Sequence, residues 1–196
     1  IGEIDYRFFN TFRFENLYIE DLKKDTLLFV GNGYADFDFW GFFKGKFIFN
    51  DVLLDKLDGN LVIDTAGVSN LDFVIKAFKK PPKEKSPTLV DFNLKDIRIT
   101  NSSFRFSNLQ HRSTDDSALF DAGRMSFSHI NAKIAVDYLR GDSLAATVFS
   151  FNARDKSGLT VENLNTQIRG FKTGFSFPHL NIQLPNSLLT LDSVRM

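Results

Sequence analysis

Residues 34–78 read YADFDFWGFFKGKFIFNDVLLDKLDGNLVIDTAGVSNLDFVIKAF, and the order of apolar and charged positions within them decides the fold class. Ala35, Phe37 and Phe39 alternate with Asp36 and Asp38, the period of a pleated strand with rings on one face and carboxylates on the other. At Phe39-Trp40-Gly41-Phe42-Phe43 the alternation fails, because four rings in five residues cannot share one side of a strand, so a short helical corner is expected. Trp40 there has the chemistry of a membrane-interface anchor, but buried packing in the corner is the simpler reading and the one adopted. Strand pattern resumes with Phe47 and Phe49 either side of Ile48, and again over Asn60–Asp64.

The stretch closes on a helix. Leu71, Val74, Ile75 and Phe78 fall on one helical face, Ser69 supplies the N-cap, and Val68 and Phe73 are placed as a hydrophobic staple. Asp72 suits the positive first turn, Lys76, Lys79 and Lys80 suit the negative end, and Pro81-Pro82 stops the helix. Residues 79–88, KKPPKEKSPT, carry proline and charge with nothing to bury and read as an exposed linker. The expected division is therefore residues 1–80, a β repeat ending in the helix near 70–80; 81–88, the linker; and 89–196, a second β segment that continues the sheet.

Strand signals fill the remainder. Tyr6–Leu22 and Thr26–Val30 flank a turn at Lys23-Lys24-Asp25, and Gly31-Asn32-Gly33 reads as a bend. Beyond the linker Val90, Phe92 and Leu94 alternate, Ile97 and Ile99 alternate in the opposite phase, and Phe104 and Phe106 come next, which predicts a β-bulge near Asp96. Residues 107–117 form a polar loop, after which short apolar strands recur to the end, separated by turns such as Arg140-Gly141-Asp142 and Arg154–Gly158. This is an all-β pattern, mainly antiparallel.

Composition excludes several functions. Lys plus Arg and Asp plus Glu are 24 each, so no field of one sign is present to attract nucleic acid. Cysteine is absent, which removes disulfides and thiol chemistry. His111, His129 and His179 are far apart without ligand spacing, so no metal site or cofactor is expected. Asp36 and Asp38 form a carboxylate pair, but the solvated face of an amphipathic strand explains them. No nucleophile elbow, phosphate-binding loop or EF-hand occurs, and no enzyme is expected. The unusual feature is 23 Phe against 4 Tyr and 1 Trp, roughly three times ordinary Phe usage. Asp followed by Ser or Thr and a small or aliphatic residue occurs at Asp25, Asp64, Asp116, Asp142 and Asp192. That pattern is similar to a bacterial O-glycan acceptor, and it is equally ordinary turn chemistry.

One resemblance organises these observations. Lys44-Gly45-Lys46-Phe47-Ile48-Phe49-Asn50-Asp51-Val52, then Asn60–Asp64, Gly67 and Ser69–Phe73, resembles the N-terminal repeat of the AsmA-like superfamily, and within it the TamB-like (translocation and assembly module) branch. Leu139–Leu144, Ala153–Leu159 and Leu184–Ser187 are similar to the region C-terminal to that repeat in TamB-like chains, so the resemblance covers most of the sequence. It implies an elongated, curved, open sheet whose hydrophobic concave face shelters lipid acyl chains between inner and outer membranes. It also implies a periplasmic setting, an inner-membrane anchor outside this sequence, and a possible outer-membrane assembly partner.

Keeping a sixteen-carbon chain out of water requires roughly 12 kcal/mol at ~0.8 kcal/mol per CH₂, which only a continuous apolar lining supplies. The rings expected on that lining are Phe37, Phe39, Phe47, Phe49, Phe92, Phe104, Phe106, Phe127, Phe149 and Phe151. Read without the resemblance, the same alternation also fits a closed β-sandwich that serves as an interaction or assembly scaffold, as in secretion of outer-membrane proteins or adhesion.

Overall fold

A computed structural model describes residues 3–7, 10–42, 46–73, 91–110, 121–140 and 143–195. Its strands are β1 (Glu3–Arg7), β2 (Thr11–Glu20), β3 (Thr26–Phe37), β4 (Lys46–Ile63), β5 (Asp91–Asn108), β6 (Arg124–Arg140), β7 (Ser143–Asp155), β8 (Thr160–Val161), β9 (Asn163–Phe171), β10 (Gly174–Leu184) and β11 (Ser187–Arg195). They make one sheet in the order β1-β2-β3-β4-β5-β6-β7-β9-β10-β11, with β8 paired to β7 off this path. The sheet is open and does not close on itself. A sandwich needs two packed sheets, and the described strands form one. Neighbours are antiparallel except β4 and β5, which run parallel from Lys46 opposite Asp91 to Ile63 opposite Asn108.

Period-two alternation holds along each strand only between steps, and the steps shape the sheet. In β4, Val52 and Leu54 lie on the apolar face, as shown by their partners Ala35 and Gly33. Asp55 and Lys56 both fall on the other face, and Leu57 returns to the apolar one opposite Val30. Lys56 has φ 56, so one left-handed residue inserts an extra outward position. Asn16 in β2 (φ 51) and Asn101 in β5 (φ 50) do the same at the same level, and His129 in β6 (φ 54) one pair further along. Gly31 is the matching position in β3, where a Cβ would lie 3.1 Å from Lys56 Cβ. Extra residues always on the polar side lengthen that side, so the sheet curls toward its apolar face.

A second set of steps falls nearer one end, at Asn50-Asp51, Lys95-Asp96, Asp137-Tyr138 and Phe149-Ser150. The bulge expected near Asp96 is present, with register shifting between Leu94 and Ile97.

Several local expectations need correction. Gly31-Asn32-Gly33 is no bend between elements; it lies inside the twelve-residue β3, where a Cβ at the Gly31 step would crowd Lys56. The two strands expected between Phe47 and Asp64 are one, β4, of eighteen residues, because Lys56 turns the phase without ending the strand. The helical corner exists as α1 (Phe39–Phe42), but Trp40 is 73% exposed and fills no packed corner. Ser69 accepts the Leu71 N–H on its Oγ at 3.0 Å, as an N-cap does, and Asp72 and Phe73 are helical. The rest of the helix expected near 70–80, and the linker 81–88, lie outside the described residues.

Candidate functional site: an uncovered apolar face

The apolar face is built from the register. At one level Phe14, Gly33, Leu54, Ile99 and Ala132 stand side by side across five strands; at the next, Leu17, Val30, Leu57, Ser102 and Ile130. It continues through Ala146, Val148 and Ile168 to Phe175, Ile182 and Leu189. No second layer covers it among the described residues. Val30, 1% exposed, is the one described side chain that is essentially sealed, while Phe175 and Leu189 keep nearly half their surface in solvent. A closed core would bury those rings and branches.

The hydroxyls of Ser102 and Thr166, which fall on this face, are bonded to backbone. Ser102 donates to the Thr100 carbonyl at 2.7 Å and accepts the Leu57 N–H at 3.0 Å, which also ties the β5 corner to the β4 corner. Thr166 donates toward the Gln167 and Pro178 carbonyls at 2.9 and 3.0 Å. With both hydroxyls occupied by backbone, neither offers a free hydrogen-bonding group to the face.

Rings lie over glycines where strands would otherwise expose backbone. A Cβ on Gly33 would meet Phe14 Cζ at 2.0 Å, one on Gly59 would meet Phe104 Cδ2 at 3.0 Å, and one on Gly170 would meet Phe175 Cε1 at 3.1 Å. These aromatic–glycine pairs cover backbone polar groups and smooth the surface.

Of the ten rings expected from sequence, Phe37, Phe49, Phe104, Phe106, Phe127 and Phe151 lie on this face. Phe37 and Phe49 have centroids 6.3 Å apart, and Phe127 meets Phe151 edge-on at 6.5 Å. Phe39 sits in α1, 6.4 Å from Phe37 and 5.7 Å from Trp40. Phe47 and Phe92 are register partners on β4 and β5, but their side chains lie outside the described residues. Phe149 is on the opposite face: the step at Phe149-Ser150 turns it outward, 52% exposed, with Lys133 Nζ 5.9 Å from its ring centroid. Sequence reasoning missed Phe14, Leu17, Phe175 and Phe177, whose alternation was visible but lay outside the central stretch.

The outer face is a charged lattice concentrated on the parallel seam. Arg98 binds both Asp51 oxygens at 2.9 Å, Arg105 and Ser103 bind Asp58, and Thr100 and Asn101 bind Asp55. The donors from Asn101 and Thr100 hold the Asp55 carboxyl below its ordinary value, and the bond from Asp51 raises Arg98. Every outward carboxylate of β4 is thus matched by β5.

A cavity of about 280 Å³ opens at one end of the sheet beside the β2–β3 turn, lined by Asp21, Lys23, Val62, Asn70 and Phe73 among others. Asp21 is buried, which raises its pKa. The N–H groups of Asp25 and Lys23 and the Asn70 amide together outweigh that and leave it lowered. Asn70 accepts the Val62 N–H and donates to the Asn60 carbonyl, standing in for ladder bonds at the end of β4 that lies beside the start of β3. These carboxylates are engaged in structure.

Comparison with protein-family models and with curated protein sequences finds no match.

Proposed function

We propose that the apolar face is a lipid-sheltering groove, and that the chain is a segment of a TamB-like, AsmA-like protein. In this reading phospholipid acyl chains pass along the face between inner and outer membranes in support of outer-membrane biogenesis, with no catalytic step. The observation that carries it is the uncovered apolar face, continuous from β2 to β11 on an open sheet. Water leaves such a face at about 25 cal/mol per Å² when hydrocarbon covers it, a driving force that asks for no directional contact. The two hydroxyls turned into backbone and the three rings laid over glycines support the reading, since a moving acyl chain needs a lining without hydrogen-bonding groups.

The test is native mass spectrometry of the purified chain with extraction of bound lipid. Co-purified phospholipid, displaced by excess fatty acid, is the expected result. A lipid-free chain that binds no added phospholipid overturns the reading and returns the face to a protein-assembly role.

A further inference from the structure

We propose that α1, which follows β3, is a bilayer-docking tip, with Trp40 seated at the headgroup level of a phospholipid membrane. Trp40 is the single tryptophan of the chain and stands 73% exposed on α1. Two hydrogen bonds brace the turn that carries it. The Asp38 carboxylate accepts the Gly41 N–H at 2.9 Å, the Asp38 N–H donates to the Ile48 carbonyl at 2.8 Å, and Gly41 is buried beneath the turn.

The chemistry of the tip selects the occupant. An indole combines an apolar body with one N–H donor and is most at ease where hydrocarbon meets water, the position it takes in membrane-interface belts. Trp40 stacks edge-on against Phe39 at 5.7 Å, Phe39 meets Phe37 at 6.4 Å, and Phe37 meets Phe49 at 6.3 Å on the apolar face. The exposed ring thus begins an unbroken aromatic row whose other end is the lining itself. A protein pocket would need only the anchor, whereas a bilayer offers acyl chains that match both ends. That the row passes lipid to the face rests on the groove reading; docking at Trp40 does not.

The lone tryptophan is its own reporter. The full chain is mixed with phosphatidylcholine vesicles, with vesicles of equal parts phosphatidylcholine and phosphatidylglycerol, and with phosphatidylcholine brominated on its acyl chains. Docking shifts the emission to the blue and the brominated chains quench it. Phe39→Ser, which keeps the reporter, diminishes both effects, and Trp40→Ser weakens vesicle cosedimentation by roughly tenfold or more with circular dichroism unchanged. Unchanged emission with every vesicle overturns docking, as does a blue shift that depends on protein concentration and not on lipid, the mark of self-association. Unchanged emission in a chain that still co-purifies with phospholipid leaves the groove reading standing and removes the tip. A blue shift with no extractable lipid does the reverse.

Discussion

The tip of the Phe14 ring in β2 lies over Gly33 in β3, so close that a Cβ on Gly33 would sit 2.0 Å from Phe14 Cζ. Gly33→Ala gains about 0.5–1 kcal/mol by restricting the unfolded chain, but the ring must swing off the strand, and overpacking of that kind costs about 1–3 kcal/mol. Net destabilisation of about 1 kcal/mol is expected from urea midpoints. The same substitution placed on Phe14→Ala should be neutral or stabilising, and equal costs in both backgrounds would show that the ring and the glycine are not coupled.

Lys56 turns β4 through a left-handed conformation that costs an L residue roughly 1–2 kcal/mol. Lys56→Val adds β-branching at that φ and should lower stability by about 1–2 kcal/mol, while Lys56→Asn should be neutral or mildly stabilising. Thermal melts of the two variants decide it. A tolerant valine would mean that β4 can straighten.

Phe149 and Phe151 are two positions apart on opposite faces. Phe151→Asp puts a carboxylate on the apolar lining, at several kcal/mol if lipid covers it, and should abolish phospholipid capture. Phe149→Asp loses a cation–π contact with Lys133 of about 0.5–1 kcal/mol and should leave capture intact. Equal loss of capture in both variants, with circular dichroism retained, would detach lipid binding from this face.

Asp155, 3% exposed, closes the turn after β7 by accepting the Ser126 N–H at 2.9 Å and the Ser157 N–H at 2.8 Å. Burial raises its pKa, yet the Ser157 side chain and the surrounding N–H groups outweigh it and leave the carboxyl lowered. Because the folded value lies below the unfolded one of about 3.9, its stabilisation is complete above the unfolded value and is lost as pH falls through the folded one. Asp155→Asn should therefore be less stable at neutral pH and show a shallower loss of stability below about pH 4. An unchanged acid limb would assign that loss to Asp21, Asp55 or Asp121, which are lowered too.

Sequence reading succeeded where period two runs without interruption and failed where a strand steps. Phe104 and Phe106 share a face with Leu94, as counting by twos puts them, because two steps in β5, at Lys95-Asp96 and Thr100-Asn101, cancel. Phe149 was misplaced because counting by twos from Phe151 ignores the extra residue between Val148 and Phe151, which shows only in the pairing with β6. A left-handed residue inside a strand, as at Lys56 and Asn101, has no local signature beyond a tolerance for Asn. The exposure of Trp40 was illegible for another reason: aromatic clusters suggest burial, and whether a partner surface exists is a long-range property. Nothing local encodes the parallel pairing of β4 with β5.

That parallel seam has a consequence for how the sheet comes into being. Eighteen pleated residues span roughly 60 Å, so Ile63 at one end of β4 and Asp91 beside the other lie about that far apart, although they are 28 positions apart in sequence. Other neighbours zip from nearby turns, whereas the seam demands closure of a long loop, whose entropy must be spent before any pairing rewards it. Two meanders, β1–β4 and β5–β11, thus assemble as separate kinetic units and join last. In pulsed hydrogen exchange the β4 amides that bond to β5, and the β5 amides that bond to β4, should gain protection after those of β6 and β10. The contacts Arg98–Asp51 and Arg105–Asp58 become the late latch that fixes which edge meets which.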